Sequence, residues 1–242
     1  MDMDNPGDAY IEWKDWDDAT FGKFTDLDEV YFAAETSITA QSPPRLLEIG
    51  FGNGSFLGWI KSLGGEIFGV ETNARLNARA RDFFASDCFF EDLRDPRLNR
   101  FEGHFTHIVA FDVIEHISIE HLPALLERIR DLLATDGRLI LRFPNGDSPF
   151  GRMIQHGDPT HVTTMGQFKL VYLARNAGLR VVEIRAPALP LRGVGLVSLI
   201  KRAGVKLGRY FVARLLSILY YGGKRISLET NYVAILVRAR SG

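Results

Sequence analysis

The densest chemistry in the chain is a glycine run and a scatter of carboxylates and histidines at regular intervals. Glu48-Ile49-Gly50-Phe51-Gly52-Asn53-Gly54 spaces three glycines two apart behind an acid. Glycines there allow a tight turn and a close backbone approach to a ligand, and the helix that follows offers unsatisfied N–H groups. A dinucleotide loop would need its third glycine at position 55, where Ser55 stands, and no Lys-Ser/Thr pair follows the glycines at the spacing of a phosphate loop. Acids recur downstream at Glu71, at Asp92 (followed by Leu93, with Glu91 as its competitor) and at Asp112. Histidines follow in Asp112-Val113-Ile114-Glu115-His116 and in His156-Gly157-Asp158-Pro159-Thr160-His161. An imidazole oriented by a carboxylate can take a proton from a reacting hydroxyl. The spacing H-x-D-x-x-H matches no compact zinc signature, and the only cysteine, Cys88, lies elsewhere, so no metal is expected.

These residues need a scaffold that delivers them to one place. Apolar-rich runs at 45–49, 66–70, 88–91, 106–111, 137–143, 179–184 and 232–237 read as seven strands, and the β-branched, aromatic run at 106–111 suits a buried parallel strand. Helical stripes separate them at 55–63, 73–84, 119–133 and 164–177, with Asn73 placed as a cap and Gly64-Gly65 and Gly178 as stops. Strands alternating with helices of this length imply right-handed crossovers and a mostly parallel, doubly wound α/β sheet. Ligands of such sheets sit beyond the carboxyl ends of the strands. Glu71, Asp92, Asp112 and the two histidine-bearing runs each follow a strand.

The spacing E-x-G-x-G-x-G resembles the first motif of class I S-adenosylmethionine-dependent methyltransferases. The D-x-x-E-H run at 112–116 and the D-P-x-H run at 158–161 resemble the subgroup that modifies glycans and quinones. The resemblance covers about residues 40–185 and implies a Rossmann-like methyltransferase fold with S-adenosyl-L-methionine as cofactor. On that resemblance Glu48, Gly50, Gly52 and Gly54 form the loop around the methionine and ribose portions, and Glu71 takes the ribose hydroxyls. Asp92 and Leu93 lie at the adenine and Asp112 closes the cofactor site. His116, His161 and Asp158 become the catalytic candidates, either histidine serving as base for an oxygen acceptor. Asn145 and His156 become candidate acceptor contacts. Phe51 is bulkier than the residue often found there and is expected to narrow the methionine end of the pocket.

Composition frames the rest. The chain has 242 residues, 46% hydrophobic and 24% charged, enough for a sizeable core without disulfides. The single cysteine fits a reducing, cytoplasmic setting, and neither a signal sequence nor a bilayer-spanning run is expected. The net charge of −1 conceals a polarity. Residues 1–35 hold 11 acids against Lys14 and Lys23, a net of −9. Residues 184–228 hold nine bases and no acid, a net of +9. We therefore divide the chain into an acidic helical cap (1–40, frayed over 1–8), a catalytic domain (41–188 with 229–242) and a basic apolar insertion (189–228). The insertion reads as two helices, 193–207 and 208–221. A peripheral contact with an anionic membrane, a lid over the acceptor and a homodimerisation arm are all open for it. Nucleic acid is not expected, because the aromatics sit in apolar runs. The acceptor expected is a glycan, sugar or other small hydroxylated molecule, with a ring hydroxyl as the alternative. A non-catalytic protein that keeps the fold is the alternative of another class.

Overall fold

The structure, a computed structural model, describes residues 14, 16, 19–188 and 196–239. The expected frayed terminus, part of the expected cap helices and the start of the insertion lie outside these residues. The elements run α1 (Asp26–Thr36), β1 (Arg45–Ile49), α2 (Ser55–Ser62), β2 (Glu66–Val70), α3 (Ala74–Phe84) and β3 (Phe89–Phe90). They continue with β4 (Phe105–Phe111), α4 (Leu122–Leu132), β5 (Leu133–Pro144), α5 (Arg152–Gly157) and α6 (Gln167–Asn176). β6 (Leu179–Arg185), α7 (Leu196–Tyr220) and β7 (Asn231–Arg238) complete the chain, with 3-10 turns at Pro96–Phe101 and Ile114–His116.

The seven strands form one sheet in the order β3-β2-β1-β4-β5-β7-β6. β1 to β5 pair in parallel, whereas β7 is antiparallel to both its neighbours. This is the doubly wound, mostly parallel sheet that the strand–helix alternation predicts. Strand order reverses between β1 and β4, so the crevice for a ligand opens beyond their carboxyl ends. Residue alternation divides the core between the two faces. Leu47, Phe68, Ile108 and Leu139 face α4 and α6, while Leu46, Ile67, Val109 and Ile140 face α2 and α3. Aromatic edges tighten the first face, where Phe68 meets Phe101 at 4.7 Å and Phe105 at 5.0 Å between ring centroids.

Local signals set the helix ends. Asn73 caps α3 by accepting from the N–H groups of Arg75 (3.0 Å) and Leu76 (3.1 Å). Thr25 and Asp28 form a reciprocal capping box at α1, whose Phe32 packs on Phe56 and Trp59 of α2. Two expectations change. The helix expected at 119–133 starts only at Leu122, because a turn at Ser118–His121 precedes Pro123 near its first position. The insertion is one continuous helix rather than two: α7 runs through Gly204 and Gly208, each costing about 1 kcal/mol relative to Ala without breaking the ladder.

Among the described residues the acidic and basic ends meet at Glu35. Glu35, at the end of α1, is buried and receives Arg185 Nη1 at 2.7 Å and the Ala188 N–H at 2.7 Å.

Candidate active site

The loop after β1 carries positive φ at Gly50 (70°), Gly52 (51°) and Gly54 (70°). Its space is as restrictive as its dihedrals. A Cβ on Gly50 would sit 2.6 Å from Val113, and one on Gly52 2.5 Å from the indole of Trp16. Trp16 of the acidic segment therefore lies against the loop. The loop is also tied to β2. Gly50 N–H donates to Val70 O (2.7 Å), and Gly52 N–H to the Glu71 carboxylate (3.2 Å), whose other oxygen accepts from Asn73 N–H (3.0 Å). Beneath it Glu48 is buried, and its Oε2 has no hydrogen-bond partner. Burial, reinforced by the nearby Glu71 charge, holds the Glu48 carboxyl well above the usual range.

These groups suit the cofactor that the resemblance implies. A buried carboxyl with an unpartnered oxygen answers a cationic amino acid head, and the Glu71 carboxylate, oriented by the Gly52 and Asn73 N–H groups, answers a ribose. Phe51 does not narrow the pocket. It turns into the core, 4% exposed, where Gly69 on β2 leaves room for its ring and Phe89 stands at 5.6 Å. Leu93 is buried in the core below the site. Asp92 is half-exposed and gripped by Arg94 through Nη2 (2.5 Å) and Nε (3.0 Å), and those hydrogen bonds hold its carboxyl below the usual range. Asp112 has φ 56° and spends its carboxylate on the Arg142 guanidinium, which stacks 4.8 Å over Phe111. That ion pair ties the end of β4 to β5 and fixes the orientation of the Asp112 carboxylate.

Beyond β4 the structure brings together the catalytic candidates. Val162 and Thr163 both donate their N–H to Glu115 O at 2.9 Å, which docks the 158–163 loop onto the 3-10 turn Ile114–His116. The rings of His116 and His161 then lie 4.7 Å apart, edge to face. His161 is almost fully buried, with Nε2 3.7 Å from Asp158 and 4.0 Å from Glu115, and its Nδ1 has no partner. His116 Nδ1 faces Thr160 O (3.3 Å) and Thr160 Oγ1 (2.9 Å). Because Thr160 Oγ1 donates its single proton to Asp158, the hydrogen-bond network assigns the His116 proton to Nδ1. Neutral His116 therefore carries its lone pair on Nε2. Burial, then His161, lowers the His116 pKa and favours that neutral form. Burial tends to raise Asp158, but the hydrogen bonds from Thr160 and the two histidines bring it below the usual range.

Two acceptor candidates fall elsewhere. Asn145 is fully buried: its Nδ2 donates to Glu229 O (2.9 Å) and its Oδ1 accepts from Asp147 N–H. It pins β5 to the approach of β7 and has no face left for an acceptor. His156 lies exposed on α5, outside the cluster. The sequence reading missed Glu115, which is 1% exposed with both carboxylate oxygens unpartnered, and whose pKa burial pushes up to about 8. Its signal was in view, since it is the acid of the E-H pair. Arg142 and Thr160 were missed as well, although Thr160 is the variable position of the D-P-x-H run.

A family described as "Methyltransferase domain" matches residues 26–184. No curated protein matches the sequence. Among solved structures the chain is similar to a SAM-dependent methyltransferase from Archaeoglobus fulgidus, at 18% identity and a TM-score of 0.59. That alignment covers 96% of this chain and 99% of that one. It is similar to a TehB-like SAM-dependent methyltransferase from Corynebacterium glutamicum, with 15% identity, TM-score 0.58, and 97% and 100% of the two chains covered. It is also similar to the mitomycin 7-O-methyltransferase MmcR, at 14% identity and TM-score 0.56, over 88% of this chain and 54% of that one. The chain belongs to the methyltransferase domain family, and its cofactor is S-adenosyl-L-methionine.

Proposed function

We propose that the protein transfers the methyl group to an oxygen of a sugar, a glycan or another small hydroxylated acceptor. The observation that carries this reading is His161, buried against Asp158 and Glu115 and beside His116, beyond the strand where the sheet order reverses. The cofactor supplies an electrophilic methyl on a sulfonium, a good leaving group. The protein's share is then to orient the acceptor and accept its proton. As the carbon–sulfur bond breaks and the oxygen–carbon bond forms, the hydroxyl proton passes to His161 or to His116 Nε2. Asp158, held anionic by Thr160, stabilises the imidazolium.

The acceptor on this reading is membrane-linked. α7 exposes Val197, Ile200, Tyr210, Phe211, Leu215 and Leu219 and carries Lys201, Arg202, Lys206, Arg209 and Arg214 with no acid. No helix among the described residues is long and apolar enough to cross a membrane. An exposed apolar helix with only cations suits the headgroup layer of an anionic membrane.

Calorimetry with S-adenosylhomocysteine, followed by mass spectrometry over a panel of sugar and ring hydroxyls, tests the reaction. Cofactor binding with no methylated product from any hydroxyl would count against oxygen transfer. Flotation with phosphatidylglycerol vesicles tests the arm. Binding that persists after Lys201→Glu/Lys206→Glu/Arg214→Glu, or that is equal on neutral vesicles, would favour the lid or the dimer arm.

A further inference from the structure

The outer surface of α6 is built unlike that of an ordinary surface helix. Leu170, Leu173 and Ala174 turn into the core, as the inner stripe of an amphipathic helix should. The opposite stripe carries Phe168, Val171, Tyr172 and Arg175, three and four residues apart, where polar side chains belong. Phe168 is 88% exposed and Tyr172 67%. The stripe borders a groove of about 510 Å³, with Gln167, Val171 and Arg175 on the helix side and Val181, Val182 and Ile184 on the β6 side. β6 ends the sheet, so among the described residues no strand lies beyond it. Aromatic, aliphatic and arginine side chains gathered in one exposed patch have the composition of a protein–protein contact.

We infer that two copies of the chain associate through this face, α6 against α6, about a two-fold axis normal to the sheet. The stripe is complementary to itself. With the helices antiparallel about a point between Val171 and Tyr172, Phe168 of each copy meets Arg175 of the other, a cation over a ring. Val171 and Tyr172 then pack together at the centre. The same axis serves β6. The turn at Gly178 folds β6 back along α6. The middle of α6 lies about 7 Å from its end, and the middle of β6 about 8 Å from its start. The two midpoints share one level, so an axis passing between the helices also passes between the strands. It sets Arg180 of each copy opposite Glu183 of the other. A bulge between Val181 and Glu183 interrupts this edge and works against an unbroken ladder between the strands. The helices therefore carry the contact, and the charges fix its register.

Six side chains that each lose about 100 Å² on each copy bury about 1,200 Å² in total, the lower end for specific association. The dimer is accordingly one of micromolar dissociation constant rather than an obligate one. The face includes no residue of the glycine loop, the histidine cluster or α7, so it is independent of the proposed reaction and of the membrane arm.

Sedimentation velocity of the full chain across the micromolar range tests the inference. We expect a reversible monomer–dimer equilibrium, with the dissociation constant raised about 10-fold to 100-fold in Phe168→Glu and in Tyr172→Glu, both at exposed positions. Arg180→Glu and Glu183→Arg should each weaken the dimer and together restore it, a pattern that loss of folding cannot produce. Leu219→Glu, exposed on α7, should leave it unchanged. A chain that stays monomeric throughout overturns the inference and leaves this face to a different protein. A dimer that dissociates in Leu219→Glu and persists in Phe168→Glu overturns it as well, and assigns association to α7. Binding of S-adenosylhomocysteine by the monomeric variants separates either outcome from a failure of the methyltransferase reading.

Discussion

Gly58→Ala separates what a helix wants from what the cap demands. Gly58 lies inside α2, where alanine normally gains about 1 kcal/mol of helix propensity. Here a Cβ would stand 1.9 Å from the carbonyl oxygen of Gly22, against an ordinary contact of at least 3.4 Å. The obstruction is backbone and cannot rotate away, so residues 19–24 must withdraw by about 1.5 Å. That withdrawal breaks the bond from Gly22 N–H to Asn53 O (2.8 Å), worth about 1 kcal/mol. It also lifts Phe21, 3% exposed, from its seat between Phe83, Phe84 and the glycine loop. Full burial of such a ring contributes about 2–3 kcal/mol, of which half or more is lost. The losses exceed the propensity gain, and the net destabilisation is about 1–3 kcal/mol. For a chain of this size each kcal/mol lowers the unfolding midpoint by about 2–4 °C. The control is Gly208→Ala in α7, where nothing lies within 4 Å of the new Cβ. Its midpoint stays level or rises by about 2 °C. Differential scanning calorimetry of the two variants decides the matter. If Gly58→Ala melts at or above the parent temperature, the cap segment is not seated on α2 and this account of the pocket mouth is wrong.

Three further outcomes follow from the site and its supports. Glu71→Ala should weaken S-adenosylhomocysteine binding by about 10-fold to several hundred-fold, the worth of one or two charge-assisted hydrogen bonds. Asp92→Ala should cost less, because Arg94 already engages that carboxylate; equal losses in isothermal calorimetry would contradict the ordering. Arg185→Ala leaves the buried Glu35 carboxylate without its cation and should cost about 2–4 kcal/mol in urea unfolding. Adding Glu35→Gln should recover part of that loss, and a double variant worse than the single would deny the pairing. His107 is held down to about 4, chiefly by burial in β4 and secondarily by Arg138. The unfolded chain takes this proton near pH 6.5 and the folded one only near 4. Stability is thus fully present above 6.5 and is lost as pH falls between the two, by at most about 3 kcal/mol. His107→Gln should flatten that slope, and an unchanged slope would place the acid sensitivity elsewhere.

The sheet was legible because its signals are local and repeated. Short apolar-rich runs separated by helices admit few topologies, and Asn73 and Gly178 act where they stand. The glycine loop was legible for the same reason. What stayed hidden depends on partners remote in sequence. Phe51 reads as a pocket residue until Gly69, 18 positions on, leaves space for its ring in the core. Asn145 reads as a polar wall until Glu229 O claims its amide. Asp112 reads as an unpaired ligand until Arg142 turns out to face it across the β4–β5 register. In each case a neighbour supplied by the fold decides between two roles that the side chain supports equally well.

Glu115 extends that argument to function. From sequence, the acid of an E-H pair is the less interesting member, since the histidine titrates near neutrality and the glutamate does not. Burial reverses the order. At 1% exposure the carboxyl titrates near 8, and its backbone oxygen bonds two N–H groups of the loop bearing His161. One residue thus positions the loop and supplies the site's unmet polar demand. Replacing Glu115 by Gln keeps the backbone anchor and removes only that demand, whereas shortening the loop removes the anchor and leaves the carboxyl in place. If the first change abolishes turnover while S-adenosylhomocysteine still binds, the carboxylate itself serves the reaction. If only the second does, Glu115 is a brace and the chemistry belongs to the histidines alone.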